Sequence, residues 1–189
     1  MRKIKLQMQM TINGFVGGLN GENDWMTWNP DAEFVEFLNS LLDTSDTLLL
    51  GRKLATSGFI NYWEDALQKN PVPPFAKKIV DIPKVVFTKT LDKSIWNNTT
   101  LAKGTLSEEI VNLKKQNGKD ILVFGGAGFV SSLIKEGLID EYYLIINPTA
   151  MGNGMTIFNS LERIQKFTPM QSKLYSGGKT ILSFKPKND

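Results

Sequence analysis

The stretch "ILVFGGAGFVSSLIKEGLID", residues 121–140, decides the class of fold. Its apolar start is typical of a buried strand, and apolar residues then recur at helical spacing over 127–136 until Gly137 ends the pattern. Gly125, Gly126 and Gly128 lie where the predicted strand passes into the predicted helix. Glycines there leave the unpaired N–H groups of a helix start open to an anion, or they merely allow a tight turn.

Outward from this unit, the chain alternates predicted strands and helices. The segments with strand patterns are 4–12, 47–52, 84–90, a weaker 99–103 and 142–146, followed by 163–175 and 179–186 on either side of Gly177-Gly178. The segments with helix patterns, besides 127–136, are 31–43, 75–81 and 107–116. Asn29 is the predicted N-cap of the helix over 31–43, with Pro30 at its first position. Residues 13–29, rich in glycine, asparagine and tryptophan, are predicted to be a long functional loop.

This alternation predicts one α/β domain over residues 1–189, with a mixed, mainly parallel sheet flanked by helices. Helices between consecutive strands favour parallel pairing, whereas the hairpin signal near the C-terminus adds antiparallel strands. In such sheets, ligands bind beyond the carboxyl ends of the strands. Gly51-Arg52, Thr88-Lys89 and Gly125-Gly126 all follow predicted strands and are therefore expected at that edge.

Composition excludes several classes of chemistry. The 189 residues include neither cysteine nor histidine, so disulfides, thiolate nucleophiles, Ser-His-Asp triads and zinc sites of the His/Cys type are excluded, and no metal site is predicted. Proton transfer would then use Asp, Glu, Lys, Tyr or water, and a cofactor would supply redox chemistry. The net charge of +3 is spread along the chain without a dense basic run, which argues against nucleic acid. The absence of a long apolar run and of a signal-like N-terminus predicts a cytoplasmic protein without a membrane partner.

The glycine turn differs from the standard dinucleotide fingerprint. Gly126-Ala127-Gly128 with Ser131 nearly matches G-x-G-x-x-G, but the acid expected about 20 residues later is missing, since that distance reaches "INPT". The chain also lacks the G-K-[ST] of a P-loop. Arg52, Lys53, Thr88 and Lys89 are cations and a hydroxyl, which suit a 2′-phosphate better than a free 2′-hydroxyl. The pattern therefore favours NADPH over NADH.

The motifs "TINGFVGG", "GRK", "VVFTKT", "FGGAG" and "NPTAMGNGMTIF", in this order, resemble the dihydrofolate reductase fold. They are most similar to the branch related to the reductase domain of bifunctional riboflavin-biosynthesis proteins, and the resemblance covers nearly the whole chain. It implies an NADPH-dependent reductase of a pteridine-, pyrimidine- or ribosylamino-type substrate that forms a homodimer. True dihydrofolate reductase activity, a different NAD(P) oxidoreductase and a non-catalytic NADPH-binding protein are the alternatives.

The resemblance also implies a set of cofactor contacts. At the adenosine and 2′-phosphate end they are Gly51, Arg52, Lys53, Thr88, Lys89 and Lys103; at the pyrophosphate, Gly125, Gly126, Ala127 and Gly128; and at the nicotinamide, the loop start Gly14, Phe15 and Val16. The acid that grips the substrate ring and helps to protonate it falls on Glu33, or on Asp31 if the alignment shifts. Acids in the first turn of a helix also favour its dipole, which is the structural alternative.

Three departures from the family pattern concern the substrate more than the cofactor. Leu54 replaces the threonine that usually follows the glycine-arginine-basic turn, and Asn13 stands where the riboflavin branch often has aspartate. Residues 142–146 also contain no threonine for a pterin ring. The placement of Phe59, Tyr62 and Trp63, either in the core or at the substrate pocket, cannot be derived from periodicity.

Overall fold

The computed structural model describes residues 1–187, so the last two residues of the predicted 1–189 domain lie outside it. The described chain forms an eight-stranded sheet in the order β4-β3-β2-β5-β1-β6-β8-β7. The strands are β1 (Ile4–Thr11), β2 (Ser45–Gly51), β3 (Lys84–Phe87), β4 (Thr99–Ala102), β5 (Asp120–Gly125), β6 (Glu141–Asn147), β7 (Phe167–Leu174) and β8 (Thr180–Pro186).

The helices connect these strands and cover both faces of the sheet. They are α1 (Ala32–Asp43), a single turn α2 (Arg52–Leu54) that continues into a π-helical segment (Ala55–Phe59) and α3 (Ile60–Ala66), then α4 (Ala76–Asp81), α5 (Leu106–Lys115) and α6 (Ala127–Lys135). Within residues 1–187, none of these helices has the length and apolar character needed to cross a bilayer.

Strand directions confirm the predicted α/β architecture. The six strands from β4 to β6 pair in parallel, and β8 then pairs antiparallel with both β6 and β7. The carboxyl ends of β1, β2, β3, β5 and β6 consequently meet at one edge of the sheet. The glycine turn after β5 and the turn after β2 both lie at this edge.

Two apolar clusters stabilise the fold, one on each face of the sheet. One cluster joins α1 and α4 to Leu48 and Leu50 of β2, and the other joins α5 and α6 to the neighbouring Leu49 and to the apolar positions of β1. The polar face of β1 is also covered. Lys5 is buried and forms an ion pair with Asp120 at 2.9 Å, so this alternating strand lies in the middle of the sheet without an exposed face.

The predicted N-cap of α1 was wrong by two residues, whereas the helix begins within one residue of the predicted 31–43. Asp31, and not Asn29, is the N-cap, and its side chain accepts a hydrogen bond from the Phe34 N–H at 2.7 Å. The chain before Asp31 lies against the turn between β7 and β8, where a Cβ on Gly177 would approach the Asn29 carbonyl oxygen to 2.1 Å. This tertiary contact, absent from the local pattern, delays the helix.

The helical segment between residues 52 and 66 was not predicted. "ATSGF" interrupts the apolar period, and Gly58 adopts φ 95° inside the segment, which kinks it. Smaller differences concern strand ends: β3 ends at Phe87, so Thr88 and Lys89 follow it directly, and β7 begins at Phe167.

Candidate functional site

The turn between β5 and α6 has the backbone of an anion site. Gly125 and Gly126 adopt φ of 135° and 90°, in the region that side chains disfavour. The pairing of β5 with β2 shifts at this point, since Leu49 faces Val123 whereas Leu50 faces Gly125. No side chain of the described residues 1–187 caps the start of α6 at Gly126, so its first N–H groups remain open to a ligand.

The same turn meets the end of β2 backbone to backbone. A Cβ on Gly126 would lie 3.4 Å from the Gly51 Cα, and a Cβ on Gly51 would lie 2.6 Å from the Phe129 Cβ. Leu54 packs beside both glycines of the turn. The leucine that departs from the family pattern therefore makes an apolar contact that holds α2 against the glycine turn.

Arg52 and Lys53 directly follow β2 at this edge. Arg52 is half-buried and Lys53 exposed, and neither side chain forms a hydrogen bond or ion pair with another of residues 1–187. Gly51 pairs with Phe87 of β3, so Arg52 and Thr88 emerge from adjacent strands. Within residues 1–187, the Arg52 and Lys53 side chains are therefore free for an anionic ligand.

The remaining predicted phosphate contacts already have protein partners. Thr88 is buried, and its hydroxyl oxygen accepts hydrogen bonds from the Thr90 and Leu91 N–H groups, both at 3.1 Å. The Lys89 ammonium donates to the Lys103 carbonyl at 2.8 Å, and the Lys103 ammonium to the Asp92 carbonyl at 3.1 Å. These side chains organise the turns after β3 and β4.

Gly14, Phe15 and Val16, predicted to cover the nicotinamide, belong to a loop that is tied to the segment after β6. The Val16 N–H donates to the Met155 carbonyl at 2.8 Å, and the Asn13 amide donates to the Met151 carbonyl at 2.7 Å. Gly14 adopts φ 89° with open space where a Cβ would stand. The Asn13 side chain therefore joins "TINGFVGG" to "NPTAMGNGMTIF".

The two carboxylates predicted to bind the substrate ring, Asp31 and Glu33, are held by the hairpin of β7 and β8. Asp31 accepts hydrogen bonds from the Ser176 hydroxyl and from the Phe34 and Gly177 N–H groups, which together lower its pKa to about 2. Glu33 is largely exposed and forms an ion pair with Lys173 at 2.7 Å. The hydrogen bond to Glu33 raises the pKa of Lys173. The predicted substrate acids thus face the hairpin.

A polar cluster that the sequence interpretation missed lies at the carboxyl ends of β1 and β6. Asn147 is fully buried, and its amide donates to the Gln9 side-chain oxygen at 2.8 Å. The Lys179 ammonium donates to the Asn147 side-chain oxygen and to the Thr27 carbonyl at the end of the long loop. The available signal was Lys179 itself, a lysine between the Gly177-Gly178 turn and the largely apolar run "TILSF".

Thr149, also unassigned from the sequence, carries a buried hydroxyl oxygen without a hydrogen-bond partner among residues 1–187. Its carbonyl accepts from the Ile12 N–H at 2.9 Å, which places the residue between the two loops that meet at this edge. A buried hydroxyl without a partner is the kind of group that a ligand or an ordered water satisfies.

A cavity of about 470 Å³ lies away from this edge and is lined by Met1, Arg2, residues 114–118 and Asp120. Its buried arginine pairs with Asp46, and Lys114 pairs with Asp140 at 2.7 Å. Two of its three cationic side chains, Arg2 and Lys114, are therefore already neutralised by carboxylates. The carboxyl edge of the sheet is the better candidate.

Comparisons with known proteins agree with the fold. The family model of the RibD C-terminal domain matches residues 2–181. The uncharacterized protein YyaP of Bacillus subtilis (strain 168) is 33% identical over 181 residues, which cover 94% of this chain and 91% of YyaP.

Two solved structures share the architecture at lower sequence identity. A protein from Shewanella sp. PV-4 superposes with a TM-score of 0.72 at 23% identity, covering all of both chains. RibD of Acinetobacter baumannii superposes with a TM-score of 0.71 at 16% identity, covering 100% of this chain and 59% of that one. At these identities the two structures show a common fold.

Proposed function

Because the chain belongs to the RibD C-terminal domain family, we propose that it is an NADPH-dependent reductase acting on a pteridine-, pyrimidine- or ribosylamino-type substrate. The reaction most like this branch is the reduction of 5-amino-6-(5-phosphoribosylamino)uracil, an activity named for a solved relative from Thermotoga maritima. The product of such a step is the substrate plus a hydride and a proton.

The observation that carries the proposal is the close contact between two strand exits. Gly126 approaches Gly51 closely enough that a Cβ would meet its backbone, and the unpartnered Arg52 follows immediately. An uncapped helix start suits a pyrophosphate, and a neighbouring guanidinium without a partner suits a further phosphate. NADPH carries both a pyrophosphate and a 2′-phosphate, whereas NADH lacks the 2′-phosphate.

The residues present fit this cofactor, which supplies a hydride when bound. The N–H groups at Ala127 and Gly128 would hold its pyrophosphate, and the charges of Arg52 and Lys53 its 2′-phosphate. The loop start at Gly14, Phe15 and Val16 would cover the reacting ring and exclude water. Lys89 and Lys103 would contribute mainly by shaping the adjacent turns, since their ammonium groups are already bonded.

A second candidate function, a non-catalytic NADPH-binding protein, is favoured by one observation. Both acids predicted to bind the substrate ring are engaged with the hairpin, Asp31 as a helix cap and Glu33 with Lys173. If these two stay engaged, protonation of the substrate would depend on water or on another residue. This arrangement retains the cofactor site but not the predicted acid.

Turnover separates the two candidates. NADPH oxidation would be followed with dihydrofolate, dihydrobiopterin and the riboflavin-pathway pyrimidine as substrates. NADPH binding would be measured by protein fluorescence and thermal shift. The cofactor concentration in both experiments would be about 1 mM, which is roughly the limit of weak specific binding. Oxidation with one of these substrates supports the reductase. Tight binding without oxidation supports the binding protein, and absence of both binding and thermal shift contradicts both proposals.

Arg52→Ala tests the assignment of the 2′-phosphate. We expect the Kd for NADPH to rise roughly 10- to 100-fold, the loss typical of one charge-assisted hydrogen bond, and the Kd for NADH to change much less. Lys115→Ala, which removes an exposed lysine at the end of α5, is the matched control and should change neither. Equal losses for both cofactors would contradict the assignment.

A further inference from the structure

Lys179 is a buried cation without a carboxylate partner. It immediately precedes β8, is 2% exposed, and forms no ion pair within residues 1–187. Burial lowers its pKa, because desolvation disfavours the charged form. A buried charge is costly unless its N–H groups donate hydrogen bonds to well-placed acceptors.

Its acceptors are neutral and come from two different parts of the chain. The ammonium donates to the Thr27 carbonyl and to the Asn147 side-chain oxygen, with a longer contact of 3.4 Å to the Thr27 hydroxyl. Thr27 lies near the end of the 13–29 loop, and Asn147 is the last residue of β6. Asn147 in turn binds Gln9 of β1. One side chain thus connects the loop to two central strands.

The connection lies beside the first turn of α1, the helix on which the substrate acid was predicted. The Lys179 ammonium is 5.9 Å from the centre of the Phe34 ring, in the first turn of α1, so it lies between that helix and the carboxyl ends of β1 and β6. If the loop end moved away, the ammonium would lose the Thr27 carbonyl while still buried. The cost of that loss favours the arrangement in which the loop stays in place.

We propose that Lys179 is a positioning residue of the reductase site, which holds the Thr27 end of the 13–29 loop against β1 and β6 before substrate binds. Its effect on turnover rests on the proposed reductase function. Its effect on the loop does not, so the two are tested separately.

The loop is tested by hydrogen exchange of the full chain carrying Lys179→Met. Methionine is similarly long and unbranched but cannot donate. We expect amides of residues 18–29 to exchange roughly tenfold faster or more, while peptides of β2 and β5 keep their wild-type rates. Lys173→Met is the control, because it removes a more exposed lysine of the same hairpin that bonds Glu33 and should leave the loop unchanged.

Unchanged exchange in the loop of Lys179→Met would overturn the proposal. If that variant exchanges faster throughout, Lys179→Gln decides, since it avoids the buried charge and is too short to keep both acceptors. Selective loosening of residues 18–29 in Lys179→Gln supports the proposal, and a loop as protected as in the wild type overturns it.

Turnover provides the second measurement wherever the wild type reduces a substrate. A loop that is no longer held must be ordered by the substrate, so Lys179→Met is expected to raise KM roughly tenfold, with the Kd for NADPH unchanged. Loss of folded protein alone would lower the apparent kcat without changing KM, and that result would contradict the positioning role. A wild type without turnover would refute the reductase proposal and leave the exchange result standing.

Discussion

Asp31 shows how one side chain can satisfy several backbone groups at a junction. Its carboxylate accepts from the Phe34 N–H at 2.7 Å, from the Ser176 hydroxyl at 2.7 Å and from the Gly177 N–H at 3.0 Å. It therefore caps α1 and ties it to the turn of the β7–β8 hairpin. The three hydrogen bonds give a structural reason for an acid at this position that does not require a substrate.

Removing this carboxylate should destabilise the fold without affecting cofactor binding. We expect Asp31→Ala to lower Tm by at least roughly 2–4 °C, because it loses a helix cap, whereas Asp31→Asn should keep most of the stability because its amide oxygen can still accept. Differential scanning calorimetry measures both variants. An Asp31→Ala protein with unchanged Tm but a much weaker affinity for the substrate would instead favour the ring-binding role.

The same residue predicts a pH dependence with a defined sign. Folding lowers the pKa of Asp31 from 3.8 to about 2, so its charge stabilises the folded state above pH 3.8, and that stabilisation is lost as the pH falls towards 2. The difference in urea midpoint between wild type and Asp31→Asn should shrink over this interval. Asp120 and Glu141, whose pKa values are also lowered, titrate in both proteins and therefore cancel in this difference. A difference in urea midpoint that stays constant with pH would contradict the assignment to Asp31.

At the scale of elements, the β5–α6 unit combines a strained turn with an open helix start. Gly126 adopts a positive φ that side chains disfavour, although a Cβ there would make only an ordinary 3.4 Å contact with Gly51, whereas Gly128 is in ordinary helix with nothing within 4 Å of a Cβ. The two glycines therefore have different reasons to be glycine. The glycine at 126 is required by the backbone conformation, whereas the glycine at 128 only leaves space outside the helix.

Two alanine variants separate these reasons. We expect Gly126→Ala to lower Tm by several degrees, since a Cβ there meets backbone in a disfavoured conformation. Gly128→Ala should leave Tm unchanged or raise it, because alanine favours helix, while the Kd for NADPH rises if that space holds the pyrophosphate. Calorimetry and NADPH titration of both variants test this, and unchanged NADPH affinity in Gly128→Ala would place the pyrophosphate elsewhere.

At the scale of the whole molecule, the sheet brings the candidate site residues to one edge, and within residues 1–187 its two outer strands are β4 and β7. Within residues 1–187, β7 pairs only with β8, and it exposes Met170 and Leu174, at 45% and 71%. Exposed apolar residues on an edge strand promote association. This surface supports the proposed homodimer.

Light scattering tests the dimer, which should have about twice the chain mass of 21.2 kDa. Met170→Glu should shift the mass towards the monomer, because a carboxylate would be buried in an interface on β7. Ile95→Glu changes an exposed apolar residue next to β4, at the opposite end of the sheet, and should leave the mass unchanged. A monomer mass for the wild type rules out the dimer.

Much of the fold could be predicted because its signals are local. Apolar runs such as "TLLLG", glycine turns and helix periods identified all eight strands and four of the helices, within a few residues at their ends. The helical segment after Arg52 was missed because Gly58 and its polar neighbours interrupt the period, although Leu54 and Ile60 pack into the structure. There, tertiary burial compensates for a weak local pattern.

By itself, the sequence predicted the backbone turn that could receive a phosphate and excluded the chemistry of cysteine and histidine. A glycine pair between a strand and a helix, a cation after a buried strand and the absence of cysteine and histidine are properties of the chain. Only the tertiary structure decided how the charges are used. It engaged Asp31, Glu33, Lys89 and Lys103 with protein partners, left Arg52 without a partner among residues 1–187, and brought Lys179 to Asn147 and Thr27. The availability of a polar group depends on its neighbours in space, and those come from distant parts of the chain.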